Sequence, residues 1–202
     1  MSKYGSVEYW NERYTKEDQG FEWYNAYETI KDTICKYIKK DTSILNIGCG
    51  DSNLSEDMYR DGFTDITSCD FSPIVIEKMK EKCSEKKGMK WDVMDIHHMT
   101  YADASFDVVL DKGTLDAVIC GDETTCFPEK VVSEVYRVLK TGGIYMLITF
   151  GMPENRLSYF ENAQEKWKVT HISIPKTVVS TQSSQAGIEY CHHVYICEKE
   201  GN

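Results

Sequence analysis

From Ser43 to Thr149 the chain repeats one pattern: a short apolar run, a stretch of helical period, then another apolar run. That alternation restricts the fold more than any other feature, because strands separated by helices pair as a parallel sheet covered on both faces. The runs Ser43–Ile47, Asp65–Cys69, Met89–Val93, Phe106–Leu110 and Ile144–Thr149 read as strands, and Asn53–Asp61, Pro73–Glu85 and Phe127–Leu139 as helices. Val75, Met79 and Cys83 recur every fourth position, and Val131, Val135, Val138 and Leu139 fall on one helical face. Ser72 before Pro73 is a helix-start signal, and Thr141-Gly142-Gly143 after Lys140 a helix stop. Trp167–Ile174 and Glu189–Cys197 read as two further strands joined through the polar stretch Thr177–Gly187 without a clear helix, which places an antiparallel edge on the sheet.

The expectation is a single α/β domain over 1–202, with a Rossmann-like, seven-stranded core over 41–202 and an extension over 1–40. Tyr4, Tyr9, Trp10, Tyr14, Phe21, Trp23, Tyr24, Tyr27 and Tyr37 crowd that extension. Rings in such number serve either as staples onto the core or as a lid over a ligand.

Composition removes several function classes. Thirty-three acidic against 23 basic side chains leave a net charge of −10, the wrong sign for releasing counterions from a phosphate backbone, so nucleic acid is not the expected partner. Eight cysteines contain no Cys-x-x-Cys, and the pairs His97-His98 and His192-His193 lack a third ligand at sensible spacing; no metal site is expected, and these histidines read as solvent-facing or strand-end residues. No signal-peptide core opens the chain and no apolar stretch is long enough for a membrane span, which gives the expectation of a reduced, cytoplasmic protein with no membrane partner.

The most informative segment is Ile44-Leu45-Asn46-Ile47-Gly48-Cys49-Gly50-Asp51-Ser52. A strand runs into a turn whose glycines, Gly48 and Gly50, let backbone approach a ligand at the carboxyl end of the strand, where open α/β sheets bind theirs. Asp70 ends the next strand, twenty residues after Gly50, placed to accept hydrogen bonds from both ribose hydroxyls. Asp95, followed by Ile96, ends the third, placed to meet an adenine amino group with an aliphatic neighbour against the base. A dinucleotide fingerprint would need glycine where Asn53 stands, and the Gly-Lys-Ser/Thr of a phosphate loop is absent. S-adenosylmethionine has no pyrophosphate to cradle, so the pattern favours it over NAD or ATP.

Beyond that pattern, the runs Tyr4-Gly5-Ser6-Val7-Glu8-Tyr9-Trp10, Arg13-Tyr14, Phe21-Glu22-Trp23-Tyr24, Ile47-Gly48-Cys49-Gly50 and Ser105 to Ala117, with Asp111-Lys112-Gly113-Thr114-Leu115-Asp116-Ala117 as the most specific, resemble the methyltransferase-like 13 family. That family includes lysine methyltransferases of elongation factor 1-alpha. The resemblance extends from Tyr4 to about Phe150. It implies a class I S-adenosylmethionine-dependent methyltransferase with a protein substrate. It also implies cofactor contacts from Trp10, Tyr14, Trp23, Gly48, Asp70, Phe71, Asp95, Ile96 and Lys112, which makes the extension a lid. Asp51, where the family usually has Asn, and Asn46, where many class I enzymes have an acid, depart from the pattern.

For transfer to an amine, Asp111 and Asp116 are the candidates to guide an incoming ammonium; otherwise Asp111 makes ordinary strand-end hydrogen bonds and Asp116 sits on a solvated helix face. Lys112 is expected to pair with the cofactor or with Asp70 or Asp95. No Asn-Pro-Pro-Tyr follows the fourth strand, which argues against methylation of adenine or glutamine amides. A small-molecule methyltransferase and a non-catalytic S-adenosylmethionine-binding module stand as the alternative functions.

Overall fold

The computed structural model describes residues 3–16, 20–121, 126–161, 164–175 and 191–201. Strands β1 (Ile44–Ile47), β2 (Ile66–Asp70), β3 (Met89–Val93), β4 (Phe106–Lys112), β5 (Leu139–Thr149), β6 (Trp167–Pro175) and β7 (Cys191–Lys199) form one sheet in the order β3-β2-β1-β4-β5-β7-β6. The first five are parallel, and β7 runs antiparallel to both β5 and β6. The antiparallel edge is thus built by a reversed strand inserted one place in from the margin, with β6 outermost. The stretch 177–187, read as a polar connection, lies outside the described residues.

Among the described residues six α-helices accompany the sheet: α1 (Val7–Lys16), α2 (Tyr27–Tyr37), α3 (Leu54–Arg60), α4 (Pro73–Lys82), α5 (Thr114–Ile119) and α6 (Pro128–Val138). The side-chain period of two divides the central strands between two cores. Leu45, Ile47, Val109, Tyr145 and Leu147 face α5 and α6, while Ile44, Val108, Leu110, Met146 and Ile148 face α2 and α3. At ~1.5–3 kcal/mol per fully buried aliphatic side chain, these two layers supply most of the driving force for folding. A third cluster joins Trp10 and Tyr14 of α1 to Val75, Ile76 and Met79 of α4 and Trp91 of β3. The Ser72 hydroxyl accepts the Val75 N–H at 3.4 Å and Pro73 opens α4, as the sequence predicts.

Three expectations change. The segment 1–40 is not one extension: Tyr27, Ile30 and Ile34 of α2 and Ile38 just past it are buried in the core, so α2 is a helix of the sandwich, whereas α1 and residues 20–25 lie outside it. Thr141-Gly142-Gly143 does not stop α6; that helix ends at Val138, and the glycines lie within β5, where its pairing with β4 shifts register between Phe106 and Val108. Helix α5 was not predicted, because six residues are too few to display a helical period.

Candidate functional site

Strand order reverses direction beside β1, whose neighbours are β2 on one side and β4 on the other; ligands of such sheets bind in the crevice outside the carboxyl ends at that point. A cavity of about 1200 Å³, open mouth included, lies there. Trp10, Tyr14, Trp23, Gly48, Gly50, Asp70, Phe71, Asp95, Ile96 and Lys112 all line it, and so does Asp116. Asp111 does not.

The glycine turn is built tighter than a ligand alone would require. Gly48 and Gly50 have φ of +55° and +52°, and a Cβ at Gly48 would sit 2.3 Å from the Thr114 side chain. At Gly50 a Cβ would come 2.9 Å from the Tyr14 hydroxyl. These positions need glycine for backbone conformation and for packing against α5 and α1. The Thr114 hydroxyl donates to the Ile47 carbonyl at 3.0 Å, tying α5 to the turn. Asn46 departs from the acid common at its position, and its amide donates to Ser55 Oγ at 2.9 Å within a buried chain that continues to Ser68.

Two carboxylates stand on the β2 and β3 side. Asp70 is 4% exposed; its Oδ2 accepts the Gly50 N–H at 3.0 Å and its Oδ1 the Ser72 N–H at 2.9 Å. Burial pushes its pKa up to about 6, against the opposing pull of those N–H donors. Each oxygen keeps a further lone pair for a ligand hydroxyl. Asp95 is more open, and its Oδ1 accepts from the His97 N–H at 2.9 Å and pairs with His97 Nδ1 at 2.8 Å. Burial acts to raise this carboxyl, but the two His97 contacts outweigh it and leave the pKa below its usual value. His97 also lines the cavity, and its Nε2 is buried with no hydrogen-bond partner among the described residues.

The residues before α2 close the opposite wall. The Trp10 indole donates to the Tyr4 carbonyl at 2.7 Å and stacks on Tyr14 at 5.6 Å between centroids. The Arg13 guanidinium lies over Trp10, Phe21 and Trp23 at 5.6, 5.1 and 5.4 Å. Segment 20–25 is then tied across the site residue by residue. The Phe21 N–H donates to Asp51 Oδ1 at 3.1 Å, which explains how the chain uses the Asp51 departure. Glu22 accepts from the Ser52 hydroxyl at 3.0 Å, from the Asn53 N–H, and from Lys112 Nζ at 2.9 Å. Tyr24, a non-glycine residue at φ +63°, donates its hydroxyl to Asp116 Oδ2; burial, reinforced by that carboxylate, raises its pKa well above the usual phenol value.

The β4 side differs from expectation. Lys112 pairs with neither Asp70 nor Asp95: its Nζ donates to Glu22 Oε2 and to the Trp23 carbonyl, each at 2.9 Å. Asp111 is fully buried and serves α5, accepting from the Thr114 N–H at 2.8 Å, the Leu115 N–H and the Tyr145 hydroxyl at 2.9 Å; burial pushes its pKa up to about 7. With no exposed surface it cannot meet an incoming ammonium, which removes it as a guide. Asp116 is not on a solvated face. It is 9% exposed and receives Tyr24, Thr149, the Phe150 N–H at 3.0 Å and Arg156 Nη2 at 2.6 Å. Of the two readings of its histidine pair, buried His192 fits the strand end and not the solvent-facing one: it is the second residue of β7 and pairs through Nδ1 with Asn25 Oδ1 at 2.5 Å. Sequence reasoning passed over Glu22, Tyr24 and Arg156 and read His97 as a solvent-facing or strand-end residue, not as part of the cavity; Glu22 and Tyr24 lie inside the Phe21-Glu22-Trp23-Tyr24 run, while nothing local marks Arg156.

The cavity lining carries Asp51, Asp70, Asp95 and Asp116 against one ammonium, Lys112. A pyrophosphate would meet like charge there, whereas a sulfonium nucleoside meets opposite charge. Among the described residues no group of three or more His, Cys, Asp or Glu could hold a metal, and no helix is long and apolar enough to cross a membrane.

Sheet order, the cavity at the switch point and its acidic lining together define the class I methyltransferase type of Rossmann-like fold. The comparisons agree and go further: the methyltransferase domain family model matches residues 38–195, and the chain belongs to that family. It is 44% identical over 151 residues to the eEF1A lysine and N-terminal methyltransferase homolog of Drosophila melanogaster, covering 73% of this chain and 22% of that protein. It is 32% identical over 179 residues to mouse EEF1A lysine methyltransferase 4, covering 84% of this chain and 70% of that one. The chain thus spans about a fifth of the length of the first group of relatives and most of the length of the second. A SAM-dependent methyltransferase from Methanosarcina mazei shares the fold at a TM-score of 0.65 and 17% identity, over 83% of this chain and 97% of its own. The resemblance read from the motifs is borne out.

Proposed function

We propose that this chain transfers a methyl group from S-adenosylmethionine to a lysine side-chain amine of elongation factor 1-alpha. The observation that carries the reading is the buried Asp70 carboxylate beside the glycine turn, with Asp95 at the next strand end in the same acidic cavity. Relatives matching most of this chain, named as lysine methyltransferases of that factor, support the acceptor.

In this reading Asp70 accepts the ribose hydroxyls, Asp95 and the orphaned His97 Nε2 face the adenine, and Ile96 and Phe71 flank the base. Gly48 and Gly50 offer bare backbone to the amino-acid end, and Trp10, Tyr14 and Trp23, within residues 4–16 and 20–25, form the lid that excludes water. The bound cofactor supplies an electrophilic methyl on a sulfonium, whose departure as a neutral thioether needs no proton. The chain's task is therefore positioning, worth up to roughly 7–11 kcal/mol, and delivery of an uncharged amine. A free lysine has a pKa of about 10.4, and desolvation lowers it. Asp116, already holding four donors, orders the wall beside the acceptor and does not take its proton. Exposed Phe150 and Met152, next to that network, supply the apolar rim that strips water from an entering side chain. All eight cysteines are free, which fits a protein working in the reducing cytoplasm.

The test is incubation with tritiated S-adenosylmethionine and purified, unmethylated elongation factor 1-alpha, followed by mapping of the label. Label on a lysine of that factor is the expected result; label on its N-terminal amine would correct the acceptor. Cofactor binding with label only in small molecules of a lysate, or with no label at all, would overturn the reading in favour of a small-molecule enzyme or a binding module respectively.

A further inference from the structure

Glu22 stands at an unusual junction. Its carboxylate takes the Lys112 ammonium at 2.9 Å, the Ser52 hydroxyl at 3.0 Å and the Asn53 N–H, so it joins the lid both to the start of α3 and to the end of β4. The Lys112 side chain is 4% exposed, so its charge is largely removed from water, and Glu22 and the Trp23 carbonyl are the partners that hold it. Asp70 and Asp95, on the β2 and β3 side, claim the nucleoside end of the cofactor. The sulfur and the amino-acid end then lie toward β1 and β4, where Lys112 projects into the cavity.

A methyl donor with a positive sulfur and a buried lysine on the same side of one cavity repel each other, more strongly than in water because the lid excludes solvent. We propose that Glu22 is a positioning residue that neutralises Lys112 and thereby sets the preference of the cavity for a sulfonium donor over its neutral thioether product. This rests on the reading above that the cavity binds S-adenosylmethionine. It assigns Lys112 and Glu22 a joint electrostatic role, distinct from a cofactor contact made by Lys112 alone.

The role has a signature that loss of structure does not share, because donor and product differ at sulfur by one methyl and one charge. Dissociation constants for S-adenosylmethionine and S-adenosylhomocysteine are measured calorimetrically for wild type, Glu22→Gln, Lys112→Met and the double variant, with thermal melts confirming folding. Glu22→Gln leaves Lys112 uncompensated and is expected to weaken the sulfonium ligand about tenfold more than the thioether. Lys112→Met is expected to move the ratio the opposite way, and the double variant to restore it to near the wild-type value. Equal weakening of both ligands by Glu22→Gln, or a ratio moved in the same direction by both single variants, would overturn the proposal. If wild type binds neither ligand, the cofactor reading falls and this proposal with it; if wild type binds both and the ratio never moves, only this proposal falls.

Discussion

The two sides of the cavity are built by different rules. On the β2 and β3 side each carboxylate is held by neighbours close in sequence or by the adjoining turn: Asp70 by Ser72 and Gly50, Asp95 by His97. On the β4 side the two charged groups that line the cavity are satisfied from far away, Lys112 by Glu22, and Asp116 by Tyr24, Thr149 and Arg156. The first side keeps lone pairs free for a ligand. The second spends its hydrogen-bonding capacity on closing the protein around itself.

That contrast can be broken most forcefully at Asp116. Asp116→Ala leaves Arg156, 8% exposed, without its carboxylate, and removing one member of a buried pair costs about 3–5 kcal/mol. The melting temperature should fall by about 10 °C. A shift within the noise of the melt would show that the β4 side is not structural first.

Asp70→Asn should do the converse. Losing charge-assisted bonds to two hydroxyls should weaken S-adenosylhomocysteine by about a hundredfold in a calorimetric titration. The melt of the unliganded protein should move by no more than about 2 °C, since relief from burying a charge offsets one poorly matched N–H. A large fall in melting temperature with unchanged affinity would reverse the assignment of the two sides.

Proton linkage sharpens the same point. The pKa of Asp70 is raised by burial to about 6, and a ribose hydroxyl donates best to the ionised form. Affinity for S-adenosylhomocysteine should therefore be flat above pH 6 and drop about tenfold per pH unit below it, a dependence that Asp70→Asn should abolish. Stability runs the other way. Because burial raises Asp70 and Asp111 to about 6 and about 7, what these two groups contribute is complete below their unfolded value of 3.8 and is lost as pH rises through the raised ones. Affinity unchanged between pH 7.5 and 5 would mean that the carboxylate does not touch the ligand.

The smallest effect is expected at Asp51. Asp51→Asn keeps a carbonyl oxygen for the Phe21 N–H and removes only a charge, so affinity for S-adenosylhomocysteine should change by less than about threefold. A larger loss would make Asp51 a ligand contact and extend the first side of the cavity into the glycine turn.

Legibility followed the same division. Gly48, Gly50, Asp70 and Asp95 were readable because strand ends, a turn and a fixed spacing put them at predictable places. The ten candidate lining residues reach one cavity, including four aromatics, Trp10, Tyr14, Trp23 and Phe71, whose part in cofactor contact rested on resemblance alone. Asp111 failed as a cation guide because its place at a strand end said nothing of the α5 N–H groups and Tyr145 that enclose it. Asp70 and Asp95 failed as partners of Lys112 because the nearest acids in the topology are not the nearest in space once residues 20–25 fold over the site. Helix α2 was assigned to the extension because its aromatic flank masks Ile30 and Ile34, whose burial depends on the sheet they meet.

By itself, then, the sequence determined the order of the seven strands, the parallel sheet with its antiparallel edge, and the acids at two strand ends, since those follow from side-chain period and from turn chemistry acting over a few residues. Only the tertiary structure decided which charges are available. Lys112 and Glu22 are 90 residues apart, Tyr24 and Asp116 are 92 apart, and whether such groups meet is set by packing of the lid against β4 and not by any local preference.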